Sequence, residues 1–179
     1  MPTFGMLIDT NKCIGCFACR VACQNQWQMP ANEAFIKMQE IEKGKFPRVK
    51  ITKVMTQCNH CDNPPCLNIC PTKATYKNKN GLVLVDAKRC IGCKSCMAAC
   101  PYGARIWSDK EDVPQKCKFC ADFLLKGELP ACVTSCVGQA RIFGDLDNPD
   151  SAISKAIIAR NAKPLLSDLG TKPKVYYVI

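Results

Sequence analysis

KRCIGCKSCMAACPYGAR, residues 88–105, sets Cys90, Cys93, Cys96 and Cys100 at intervals of three, three and four and follows the last with Pro101. Nearly the same spacing stands earlier, at Cys13, Cys16, Cys19 and Cys23 in CIGCFACRVAC. Two looser groups complete the pattern: Cys58, Cys61, Cys66 and Cys70 in CNHCDNPPCLNIC, and Cys117, Cys120, Cys132 and Cys136 in CKFCADFLLKGELPACVTSC. Numbered I to IV in chain order, these groups use all 16 cysteines of the 179-residue chain, so one explanation has to cover every thiol.

A disulfide framework belongs to secreted proteins, yet the opening MPTFGMLIDTNKC has no basic n-region, apolar h-region or small-residue cleavage site. Structural zinc also uses C-x2-C pairs and is the main rival. Spacing speaks against zinc. C-x2-C-x2-C-x3-C puts three thiols on one tight loop, with a fourth that in two-cluster ferredoxins serves the other cluster. Small residues between the ligands, Gly15, Ala18, Gly92 and Ser95, let backbone N–H groups approach the sulfurs. The expected cofactors are four 4Fe-4S clusters.

Proline follows the fourth cysteine in group II (Pro71) and group III (Pro101), where it fixes the turn and removes a donor, as in bacterial ferredoxins. Groups I and IV have Gln24 and Val137 there. This shared difference points to pairing of II with III and of I with IV, although connector length alone leaves tandem pairing of I with II and III with IV open. The stretch CPTKATYKNKNGLVLVDAKRC, with its short strand GLVLVD, reads as a bacterial ferredoxin half.

The formal charge of +10 invites a nucleic-acid or anionic-membrane reading. Sixteen thiolates around four cores of charge 2+ would bring it to about +2, which removes the case for nucleic acid. Lys12, Lys88 with Arg89, and Lys116 stand before the first cysteine of a group, where a cation can offset cluster charge. No apolar run approaches the roughly 20 residues of a membrane span, so no direct span is expected. Glycine-rich phosphate loops, dinucleotide fingerprints and nucleophile–base sets are missing, and ligation leaves no thiol to attack a substrate. No catalytic residue is assigned.

Elsewhere, NPDSAISKAIIARN predicts a helix with Asn148 as N-cap, Pro149 first, Asp150 in the first turn, Arg160 in the last, and an apolar face of Ile153, Ala156 and Ile157. The tail KVYYVI reads as a strand needing cover from the chain's own sheet or a partner. Residues 24–57 form a mixed insert in which RVKITKV alternates as a strand does. His60, the only histidine, cannot make a Rieske site, which needs two on one iron; packing or hydrogen bonding beside a cluster is expected. Trp27 and Trp107 are read as shielding clusters from water.

Through CNHCDNPPC, CPYGARIW, GELPACVTSC, FGDLDNPDS and LGTKPKVYY, the chain resembles the four-cluster iron-sulfur subunit of complex iron-sulfur molybdoenzymes, most of all those of polysulfide and thiosulfate reductases. The resemblance implies an α+β fold of two nested bacterial-ferredoxin-like modules, short strands and helices around four clusters. Residues 1–57 and 101–179 would form the outer module and 58–100 the inner one. It implies ligand sets Cys13, Cys16, Cys19 and Cys136; Cys117, Cys120, Cys132 and Cys23; Cys58, Cys61, Cys66 and Cys100; and Cys90, Cys93, Cys96 and Cys70. Some relatives hold a 3Fe-4S cluster with tryptophan at the second position of group III; here that position is Cys93. Where relatives often have proline, this chain has Val137, which puts the turn after group IV in question.

The implied role is electron relay between a molybdopterin-containing catalytic subunit and a quinone-reactive integral membrane subunit, peripheral to the membrane through that partner and on its periplasmic face, with the cytoplasmic face as the alternative. The end at group I would face the molybdenum subunit, and the end at Cys93 the membrane partner. The alternatives are the same role in an arsenate, dimethyl sulfoxide or formate enzyme, a free ferredoxin-type carrier, or a zinc-stabilised binding module. Ligands drawn from residues 13 to 136 also lead us to expect a poorly folded apo chain.

Overall fold

The computed structural model describes residues 2–179. In chain order the elements are β1 (Phe4–Asp9), α1 (Ala18–Gln26), β2 (Lys37–Lys45), β3 (Arg48–Thr56), α2 (Pro65–Asn68), β4 (Thr75–Lys77), β5 (Val83–Val85), α3 (Ser95–Ala98), β6 (Ile106–Ser108), β7 (Val113–Gln115), α4 (Ala121–Leu124), α5 (Ala131–Thr134), β8 (Arg141–Asp145), α6 (Ala152–Ala159), β9 (Lys163–Pro164) and β10 (Val175–Val178). Short strands and short helices in alternation make the mixed class expected from the sequence.

One four-stranded sheet, in the order β8-β1-β10-β9, joins the two ends of the chain. β1 runs antiparallel to β8 and parallel to β10. Its sequence FGMLID is apolar on both faces because both are covered. Met6 and Ile8 enter the core that contains Cys19, Cys23, Cys117 and Cys132, whereas Leu7 packs with Ile153 and Ala162 under α6. The tail strand is therefore covered by its own sheet, between β1 and β9.

α6 starts later than its sequence signals suggest. Ser151, not Asn148, is the N-cap, and its hydroxyl accepts the Ser154 N–H at 3.2 Å while donating to the Asp145 carbonyl at 2.7 Å. Asn148 instead closes a turn, its side-chain oxygen accepting the Asp150 N–H at 2.9 Å. The anchored serine outcompetes an exposed asparagine whose turn is already satisfied. Ile153, Ala156 and Ile157 do form the inward face, and Arg160 closes an ion pair to Asp9 at 3.0 Å.

The mixed insert is a long antiparallel hairpin, β2 against β3, exposed over most of its length and anchored at its base by buried Val54 and Met55. The strand read in GLVLV is β5, paired with β4.

Candidate iron-sulfur sites

In all four groups the third cysteine is the second residue of a helix: Cys19 in α1, Cys66 in α2, Cys96 in α3 and Cys132 in α5. The residue before the second cysteine always has positive φ: Gly15 (72°), His60 (43°), Gly92 (66°) and Phe119 (50°). That left-handed turn swings the first two thiols to one side, towards the helical third. It comes free of steric cost only to glycine. In groups II and IV the strain is offset by packing, because His60 and Phe119 stack on each other at 4.1 Å.

The fourth cysteine heads a second repeated turn. Lys73 N–H donates to Cys70 O at 3.2 Å, Gly103 N–H to Cys100 O at 3.1 Å and Gln139 N–H to Cys136 O at 3.0 Å. Val137 thus sits in the same turn that Pro71 and Pro101 occupy, and its substitution leaves the turn unchanged. After Cys23 there is no such turn, because α1 continues to Gln26.

These turns bring the thiols together across groups. Cys13, Cys16, Cys19 and Cys136 line one cavity, Cys58, Cys61, Cys66 and Cys100 a second, and Cys90, Cys93, Cys96 and Cys70 a third. Cys23 lies among Cys117, Cys120 and Cys132: burial, then Cys132 and Cys120, push its thiol up to about 12. Cys117 is likewise pushed up by burial and by Cys23 and Cys132. The helices follow the same association, α1 packing on α5 and α2 on α3. Among the described residues, no three His, Cys, Asp or Glu side chains converge on a point fit for a single metal ion. The thiols stand around cavities instead.

The lining fits a 4Fe-4S cluster chemically. Burial and neighbouring thiols also raise Cys61 to about 12, and burial raises Cys132 to about 11, so these two thiols stay protonated near neutral pH until a cationic core displaces the proton. Backbone N–H groups point at sulfur: Phe119 donates to Cys117 Sγ at 3.4 Å and Ala140 to Cys136 Sγ at 3.2 Å. Cationic nitrogens stand buried and without acceptors, namely Nε and Nη1 of Arg105 and Nη2 of Arg141. Such orphans need an acceptor, and cluster or thiolate sulfur would supply one. Neither arginine stands out in the sequence. Both lie five residues after a fourth cysteine, Cys100 or Cys136, and aligning the groups on one another is the signal that finds them.

His60 is fully buried. Val83 N–H donates to its Nδ1 at 3.1 Å, which leaves Nε2–H to donate to the Cys117 carbonyl at 2.9 Å. Burial and then the Lys116 charge hold it well below the ordinary imidazole range, so it is neutral. Lys118 lies over the Trp27 ring at 4.4 Å and Lys94 over Trp107 at 4.2 Å, which places both indoles beside cysteine loops. Of the cations read as flanking the groups, Lys12, Lys88 and Arg89 are exposed, but Lys116 is buried.

The chain is similar to known iron-sulfur proteins along almost its whole length. A family model described as a 4Fe-4S dicluster domain matches residues 49–146, and another of the same description matches residues 12–74. Together the two dicluster matches account for four 4Fe-4S clusters. The B component of tetrathionate reductase from Salmonella typhimurium is 42% identical over 98% of the sequence and 72% of its own length. The B component of polysulfide reductase from Wolinella succinogenes is 41% identical over 98% of the sequence and 93% of its own. The arsenate respiratory reductase iron-sulfur subunit of Shewanella is 35% identical over 97% and 95%.

Proposed function

The protein belongs to the 4Fe-4S dicluster family, as an iron-sulfur electron-transfer subunit of molybdoenzyme reductases, and from that premise we propose that it relays electrons through four clusters in one line, between a quinone-reactive integral membrane subunit and a molybdopterin-containing catalytic subunit. The observation that carries this reading is the grouping of thiols: each set of three from one group meets a fourth from another. Site 1 takes Cys13, Cys16, Cys19 and Cys136; site 2 Cys117, Cys120, Cys132 and Cys23; site 3 Cys58, Cys61, Cys66 and Cys100; site 4 Cys90, Cys93, Cys96 and Cys70. The crossing makes two nested modules, residues 58–100 within 1–57 and 101–179. The sheet that joins both chain ends supports this division.

The order along the line follows from neighbours. Arg141 bears on both Cys19 and Cys132, Cys58 on Cys117, and Arg105 on both Cys66 and Cys96, giving 1-2-3-4. Cys16 and Cys93 are the only exposed cysteines, one at each end, and Ile14 and Ile91 beside them are exposed too. The two C-I-G-C loops are thus suited to meet partners. A bound 4Fe-4S cluster supplies one-electron chemistry. The chain's residues hold it, keep water from it and aim N–H groups at its sulfur ligands.

Following the resemblance, site 1 faces the catalytic subunit and site 4 the membrane subunit. The likeness to the polysulfide reductase component over nearly both full lengths supports a polysulfide or thiosulfate enzyme. Among the described residues no helix is long and apolar enough to cross a membrane. Following the same resemblance, attachment runs through the membrane partner, at the periplasmic face. The test is polarity in the intact complex. Cys93→Ser stops quinol-driven turnover but spares turnover with a donor that reduces the catalytic subunit directly. Cys16→Ser leaves the site 4 signal in electron paramagnetic resonance reducible by quinol. A site 4 signal that quinol no longer reduces in Cys16→Ser, together with a site 1 signal that it still reduces in Cys93→Ser, reverses the polarity.

A further inference from the structure

Each junction between neighbouring sites contains one buried cation. Arg141, 5% exposed, lies between sites 1 and 2: it lines the site 1 cavity, and its Nη1 approaches Cys132 Sγ at 3.7 Å. Lys116, 2% exposed, precedes Cys117 of site 2 and lines the site 3 cavity. Arg105, 5% exposed, lines the cavities of both site 3 and site 4. Their protein partners are neutral. Arg141 donates to Gln57 Oε1 at 2.7 Å, Lys116 to the carbonyls of Val83 and Cys117, and Arg105 to Thr75 Oγ1 at 3.1 Å. The ion pairs among the described residues all lie elsewhere.

A buried cation without a counter-ion is strongly unfavourable unless opposite charge neutralises it. General charge balance does not require burial, since Lys12, Lys88 and Arg89 can provide it from the surface. What burial adds is a fixed charge in a low-dielectric interior, where Coulomb interactions are strong and salt screens them little. We propose that Arg141, Lys116 and Arg105 are positioning residues of the relay, each set between two clusters so that one positive charge raises the reduction potential of both and offsets their mutual repulsion when both are reduced. An electron leaves one site and arrives at the next; no bond breaks and no proton moves, so fixed charge has to answer the change. Net charge and hydrogen bonds to sulfur are the levers that set cluster potential.

The inference rests on the four-site reading, but the two fail differently: that reading fails in the iron count, this one in potentials at full iron count. The experiment is a redox titration of the intact complex followed by electron paramagnetic resonance. Lys116→Met lowers the midpoints of sites 2 and 3 and leaves 1 and 4 in place; Arg141→Met lowers 1 and 2; Arg105→Met lowers 3 and 4. The charge-keeping Lys116→Arg, Arg141→Lys and Arg105→Lys hold the potentials near the wild-type values. If a methionine variant loads no iron, the glutamine variant at that position keeps a donor and gives the same reading. Unshifted midpoints in an iron-replete neutral variant, or an equal shift of all four centres, overturn the proposal.

Discussion

Gly138 shows how a single residue closes a site. A Cβ there would stand 2.5 Å from the Lys12 carbonyl oxygen, and both residues line the site 1 cavity. A backbone atom cannot rotate away, so Gly138→Ala forces the turn after Cys136 off the loop of group I at a cost of about 1–3 kcal/mol. The expected outcome is a disturbed site 1 signal, with the other three intact; a change confined to site 4 would mean that Cys136 serves group III instead, as tandem pairing requires. Gly15 and Gly92 stand out in the sequence as small residues that let the backbone approach sulfur, and the structure adds that they carry the left-handed turn before the second cysteine. At His60 and Phe119 no glycine marks it, and the stacking of these two residues on each other is a contact between groups far apart in sequence. Arg105 and Arg141 were hidden for a similar reason: an arginine amid a polar stretch looks solvated until the fold buries it.

Among the elements, short-range pattern was read well and long-range pairing poorly. The apolar face of α6 followed from its spacing, whereas its start did not, because both Asn148 and Ser151 are good caps and only the Asp145 carbonyl decides between them. Ser151→Ala should therefore cost about 0.5–2 kcal/mol, and Asn148→Ala less, in denaturant unfolding of the loaded subunit, with iron content unchanged. An Asn148 effect larger than that of Ser151 would contradict the assignment. RVKITKV announced β3 by alternation, but its partner KMQEIEKGK did not announce β2. That strand is exposed on both faces, so nothing selects one face for apolar residues. The tail strand was evident from composition, yet its parallel place beside β1 depends on residues at opposite ends of the chain.

At the scale of the whole molecule, the thiols supply much of what an apolar core supplies elsewhere. Cys19, Cys23, Cys58, Cys117 and Cys132 belong to the main core with Met6, Ile8 and Phe119, so loss of metal removes the centre of the packing as well as the cofactors. The proposed line of sites 1-2-3-4 would have exposed loops at its ends and a buried cation at each junction, an arrangement suited to the relay we propose. The iron and acid-labile sulfide content of the anaerobically purified complex tests this most directly. We expect about 16 of each per copy of this protein, beyond what the partners hold, in a brown preparation. A colourless protein holding only zinc would contradict it.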